Sequence, residues 1–125
     1  MSSLFTQAQY EQLIKNGSDT SPDKDYPPVV RLFLTNTSMT WLISELDPDY
    51  PEIAFGLCDL GMGFPELGLV SIAELEECQD FLHRIVRDDN FEGKYPLSVY
   101  ANAARKVRRI VIDDVSLQAV HHLKP

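Results

Sequence analysis

Five carboxylates, Glu45, Asp47, Asp49, Asp59 and Glu66, fall within a short stretch, each where a strand-like run ends or a turn begins. Clustered carboxylates bind Mg²⁺ or Mn²⁺ through oxygen, or divide acid and base roles once their environments push their pKa values apart. That chemistry belongs to a metal-dependent hydrolase or nuclease. No His at metal-ligand spacing accompanies the acids, however, and Asp47 and Asp49 flank Pro48, where they are ordinary turn residues. The sequence therefore nominates no catalytic residue, metal ligand or cofactor. The same five acids also offer a surface for binding another protein, with Trp41 either an anchor there or part of the core.

The remaining reactive groups are weaker candidates. Gly61, Gly63 and Gly68 resemble a phosphate-cradling loop, but such a loop opens a helix, whereas this one leads toward a strand between Asp59 and Glu66. Tight-turn geometry accounts for them. Cys58 beside Asp59 lacks a neighbouring His to activate it, and the carboxylate raises a thiol's pKa, so core packing is expected there and at Cys78. His83 is placed at a helix C-terminus, and His121 and His122 form a tail pair on different helix faces. Arg84 and Arg87 stand next to Asp88 and Asp89 and read as ion-pair partners. Arg105, Lys106, Arg108 and Arg109 form the single basic cluster. It suits contact with a nucleic-acid backbone, or equally compensation of the acidic middle and a helix end.

Charge separates these possibilities further. The formal net charge is −8; residues 45–92 hold thirteen Asp and Glu against two Arg, while residues 93–125 hold six Lys and Arg against two Asp. An acidic middle repels phosphate, so nucleic acid is not expected on that face. Two cysteines make no disulfide framework or metal knuckle, and the N-terminus shows no secretory leader. No membrane association is expected, and a reducing cytoplasm is the expected address. The length of 125 residues fits one domain with its own core, read as residues 1–112, followed by a tail or short helix over 113–125.

The elements that must position these groups follow from periodicity and punctuation. Thr6-Gln-Ala-Gln9 has capping-box form and opens a helix through Tyr10, Leu13 and Ile14 that stops near Asn16-Gly17. After a Pro- and Asp-rich loop come strands over Val29–Thr35, Thr40–Leu46, Ile53–Cys58 and Leu67–Ser71. In the second strand, strict alternation places Trp41, Ile43 and Glu45 on one face and Leu42, Ser44 and Leu46 on the other. Gly56 suggests a bulge or close packing. Ser71…Glu74 predicts a second capped helix reaching His83 or Arg84 with Leu75, Cys78, Phe81 and Leu82 buried. Pro96 opens a third helix, and Arg109–Asp113 reads as a last strand. The expected fold is α+β: a four- to five-stranded antiparallel meander with about three helices, mainly on one face.

Two long words in this chain, TWLISELDPDYPEIAFGLCDLGMGFPELGLVSIAELE and IVRDDNFEGKYPLSVYANAAR, resemble the hallmark segments of a bacterial family, domain of unknown function 2958. The likeness covers roughly residues 4–112 and leaves out Asp113–Pro125. It implies no assigned activity, and it implies an origin on plasmids and other mobile elements. The leading expectation is therefore a non-enzymatic acidic binding protein, acting on a host or plasmid protein such as a defence nuclease. A carboxylate-based hydrolase and a DNA-associated accessory factor using Arg105–Arg109 are the alternatives.

Overall fold

A computed structural model describes residues 4–123, with side chains described through His121. The first helix, α1 (Gln7–Ser18), carries the predicted capping box in both directions. Thr6 Oγ1 accepts the Gln9 N–H at 3.1 Å, and Gln9 Oε1 accepts the Thr6 N–H at 2.9 Å. Four strands follow: β1 (Val30–Leu34), β2 (Thr40–Leu46), β3 (Ile53–Asp59) and β4 (Glu66–Ser71). The short helix α2 (Ile72–Glu77), strand β5 (Ile85–Arg87), and helices α3 (Leu97–Val107) and α4 (Asp114–Leu123) complete the chain. The sheet order is β4-β3-β2-β1-β5 with every neighbouring pair antiparallel, so a four-strand meander gains a fifth strand on its β1 side.

The α+β class and a four- to five-stranded antiparallel sheet stand as read from the sequence, although the fifth strand is Ile85–Arg87 and not Arg109–Asp113. The placement of the helices does not. They divide between the two faces because β2 is apolar at both parities and needs cover on both sides. On the first face, Leu13 of α1 and Ile72 and Leu75 around α2 pack with Val30, Leu32, Trp41 and Ile43. On the second, α3 and α4 bring Leu97, Tyr100, Ala104, Leu117 and Val120 onto Leu42 and Leu57. Each fully buried Leu or Ile contributes about 1.5–3 kcal/mol relative to exposure. The segment 113–125 thus includes a helix whose Leu117 and Val120 lie in the second core.

A bulge in β2 organises the centre. Ile43 pairs with Gly56 and Glu45 with Phe55, so Ser44 is an extra residue in the ladder. The expected alternation reverses there: Leu46 joins Trp41 and Ile43 in the first core, while Glu45 turns toward the second face beside Phe55. The bulged carbonyl of Ser44 is met by α1, whose buried Asn16 Nδ2 donates to it at 2.9 Å. Gly56 is required opposite the bulge, because a Cβ there would strike the Leu42 carbonyl.

Two other elements differ from expectation. Helix α2 ends at Glu77, leaving Cys78 exposed and Phe81 at 92% exposure, where a longer helix had been expected to bury both. The stop is made by Asp80, whose Oδ1 accepts the N–H groups of Leu82 and His83 at 2.8 Å each and folds the chain back toward β1. The sheet then takes β5 as its outer strand, with the Thr35 N–H donating to the Arg84 carbonyl at 2.9 Å. Residues 109–113 are not a strand. Arg108 adopts a left-handed conformation (φ 61°) as the C-cap of α3, and the linker beyond it carries Val111 into the second core.

Candidate functional site

The sequence-predicted acids do not converge. Thr40 pairs with Asp59 at one end of β2, and Leu46 pairs with Ala54 at the other. Glu45, Asp47 and Asp49 are therefore separated from Asp59 and Glu66 by most of the strand, about 20 Å at the usual rise per residue. Among the described residues no three His, Cys, Asp or Glu side chains come together as a metal would require.

Glu45, Asp47 and Asp59 have local occupations instead, and Asp49 and Glu66 lie exposed. Glu45 pairs with Lys24 Nζ at 3.1 Å, and that ammonium also donates to the Asp19 carbonyl at 2.7 Å. Asp47 Oδ1 accepts the N–H of Asp49 at 2.9 Å and of Tyr50 at 3.2 Å, closing the turn between β2 and β3. Asp49 lies exposed on that turn. Asp59 is buried, and its two oxygens accept the Gly61 N–H at 2.8 Å and the Ile110 N–H at 3.0 Å, tying the β3–β4 turn to the linker after α3. Glu66 is exposed across the ladder from Cys58.

The other candidates are equally constrained. Burial first, and Glu66 second, push the Cys58 thiol up to about 11, so it is no nucleophile at neutral pH. Trp41, 3% exposed, belongs to the first core and not to a binding surface. It no longer shares a face with Glu45, because the Ser44 bulge intervenes. His83 lies beyond the end of α2, with Nδ1 2.9 Å from Asp80 Oδ1. Arg87 Nε pairs with Asp89 at 2.8 Å, and Arg31 Nη1 with Asp88 at 2.9 Å. Arg105, Lys106, Arg108 and Arg109 are all exposed at the end of α3, where Arg105 Nη1 donates to Asn102 Oδ1 at 2.8 Å. Of the tail pair, His121 lies near the Tyr95 ring at 5.3 Å, and the side chain of His122 is outside the described residues.

What the sequence reading missed is apolar. Strand β4 is the outer strand on its side of the sheet, with β3 as its single ladder neighbour. Its Leu67 and Leu69 lie opposite Leu57 and Phe55, which places them on the second face, and Leu69 is 76% exposed. The β3–β4 turn adds Met62 at 75% and Phe64 at 72%. Beside this edge a groove of about 330 Å³ has Phe55, Leu67 and Leu97 as apolar lining and Asp23, Asp25 and Glu45 as acidic lining. Asp25 also accepts the Ser98 N–H at 3.0 Å, supplying the first turn of α3 with the cap that Pro96 cannot. The signal was present in the sequence as Leu-Gly-Met-Gly-Phe, alternate apolar residues within a turn, followed by Leu67 and Leu69 on a strand with no helix of its own to cover it.

The family profile described as "protein of unknown function (DUF2958)" matches residues 4–111. The chain belongs to DUF2958. The match runs from the residues that lead into α1 to the linker after α3, so the sheet, the β4 edge and the Asp59 clasp are all parts of this DUF2958 domain. No curated protein and no solved structure matches the chain. No helix among the described residues is long and apolar enough to cross a membrane.

Proposed function

We propose that this DUF2958 protein is a non-catalytic binding module that captures an extended, basic segment of another protein along β4. The observation that carries this reading is the exposed Leu67–Leu69 pair on an outer strand. Natural sheets protect such edges with Lys, Pro, bulges or a covering element. Strand β4, Glu-Leu-Gly-Leu-Val-Ser, has neither Lys nor Pro and pairs regularly with β3 throughout. An added strand would gain main-chain hydrogen bonds, and its alternate side chains would meet Leu67, Leu69 and the groove at Phe55.

Charge selects the partner. The groove lining sets Asp23, Asp25 and Glu45 against Lys24 alone, Glu66 begins the strand, and the whole chain carries −8. A segment alternating apolar residues with Lys or Arg complements that surface and would associate faster at low salt. The acidic-surface reading is kept in part: Glu45 and Glu66 flank an apolar strip, while Asp59 and Trp41 are internal. In the mobile-element setting implied by the family resemblance, the partner would be a host or plasmid protein, a defence nuclease being one form. The hydrolase alternative has no converged carboxylates to work with.

The test is capture from nuclease-treated bacterial lysate, followed by affinity measurement on the isolated partner. Leu69→Lys is expected to weaken binding at least tenfold while leaving the urea midpoint unchanged, and β4 amides should gain exchange protection in the complex. A partner held equally by Leu69→Lys would refute the edge. So would a concentration-dependent dimer of this chain that the same substitution abolishes, since the occupant would then be a second copy.

A further inference from the structure

At the other end of the second face lies a recess that the protein-binding reading does not use. It occupies about 440 Å³ between the β1–β2 turn, the β3–β4 turn and the linker after α3, and its lining includes Arg31, Arg108, Arg109, Thr40, Gly61 and Asp59. Its lining thus holds three arginines and one carboxylate, in a chain that is acidic overall. Arg31 is held in place by Asp88 and by stacking over Phe33, 5.0 Å from the ring centroid, and among the described residues Asp88 takes one of its five donors. Neither Arg108 nor Arg109 makes a side-chain hydrogen bond or ion pair with a described residue. Arg109 does lie near enough to Asp113 to help its hydrogen bonds hold that carboxyl below the usual range.

The lone carboxylate has a defined role. Asp59 binds the Gly61 and Ile110 N–H groups, fixing the glycine turn and the residue that follows Arg109. It is a positioning residue: through the Ile110 N–H it fixes the main chain just after Arg108 and Arg109 beside the recess.

We propose that this recess binds the phosphoryl group of a small phosphorylated molecule. Guanidinium groups match phosphate oxygens bidentately, which is why converging arginines mark phosphate sites. A polymer is disfavoured, because a nucleic acid leaving this patch would run over a surface in which residues 45–92 carry thirteen acids against two Arg. A monoester needs only the recess.

The test titrates the full chain with inorganic phosphate and with AMP by calorimetry, using chloride at matched ionic strength as the control. Arg108→Gly combined with Arg109→Gln removes two of the three cations. Glycine accepts the left-handed backbone that Arg108 now occupies, so the double variant keeps its fold. Saturable AMP binding that weakens at least tenfold in the double variant, with an unchanged thermal midpoint in ligand-free buffer, is the expected result. Equal affinity in parent and variant, or no binding beyond that of chloride, would overturn the site. A single-stranded oligonucleotide bound more tightly with each added nucleotide would also overturn it, because the ligand would then be a polymer.

Discussion

Neutralising Asp59 tests whether this carboxylate is kept for chemistry or for architecture. In Asp59→Asn the amide retains one acceptor oxygen but places an NH₂ where the other stood. Either the Gly61 or the Ile110 N–H, now 2.8 and 3.0 Å from carboxylate oxygens, must then face a donor. A buried donor left unpaired costs about 1–3 kcal/mol, and losing a bond to a charged acceptor places the change in the upper part of that range. With a urea m-value of about 2 kcal/mol/M, a loss of about 2–3 kcal/mol lowers the midpoint by about 1–1.5 M. Amide exchange should quicken at one or both of Gly61 and Ile110, and AMP binding in the adjoining recess should weaken along with it. A carboxylate held for catalysis behaves in the opposite way: removing it leaves stability unchanged or raised. A variant with the parent's midpoint and unchanged exchange at both amides would refute the clasp.

Two further outcomes follow from particular contacts. Gly56→Ala should destabilise by about 3 kcal/mol, the upper part of the range for overpacking, because the new methyl meets the Leu42 main-chain carbonyl and not a side chain that can rotate away; equilibrium unfolding reads this directly. The Tyr26 hydroxyl, followed by Ser21, holds the Asp19 carboxyl down at about 2, so Asp19 stabilises the fold above the ordinary carboxylate range and loses that contribution as pH falls from about 4 to about 2. Tyr26→Phe should move the Asp19 titration, followed by NMR, upward toward the ordinary value and remove its share of the acid-dependent loss.

Local chemistry was legible in the sequence, and partner-dependent structure was not. Thr6 and Gln9 fix a helix start by themselves, and Asp47 closes its turn using the next three residues, so both could be read without a fold. The end of α2 could not, because Phe81 and Leu82 keep helical spacing while Asp80 spends its side chain on the Leu82 and His83 backbone and β1 needs an outer strand. Trp41 and Glu45 were placed together by strict alternation, which one extra residue at Ser44 undoes. The candidate acids failed as a cluster for a related reason. Closeness in sequence puts two residues at opposite ends of a sheet as readily as at the same end. The apolar β4 edge depends on which strand ends up outermost, a property of the sheet and not of the segment.

The Ser44 bulge also acts as a frame marker for comparing this chain with its relatives. Upstream of it odd-numbered residues of β2 face α1, and downstream even-numbered ones do. A relative one residue shorter between the Trp and the Leu-Asp-Pro word would restore strict alternation and keep the residue equivalent to Leu46 on the Trp face without a bulge. Such a chain should still carry an apolar residue there, but it should no longer need Gly opposite or Asn at the end of the first helix. Those two positions should change together with the length, or not at all.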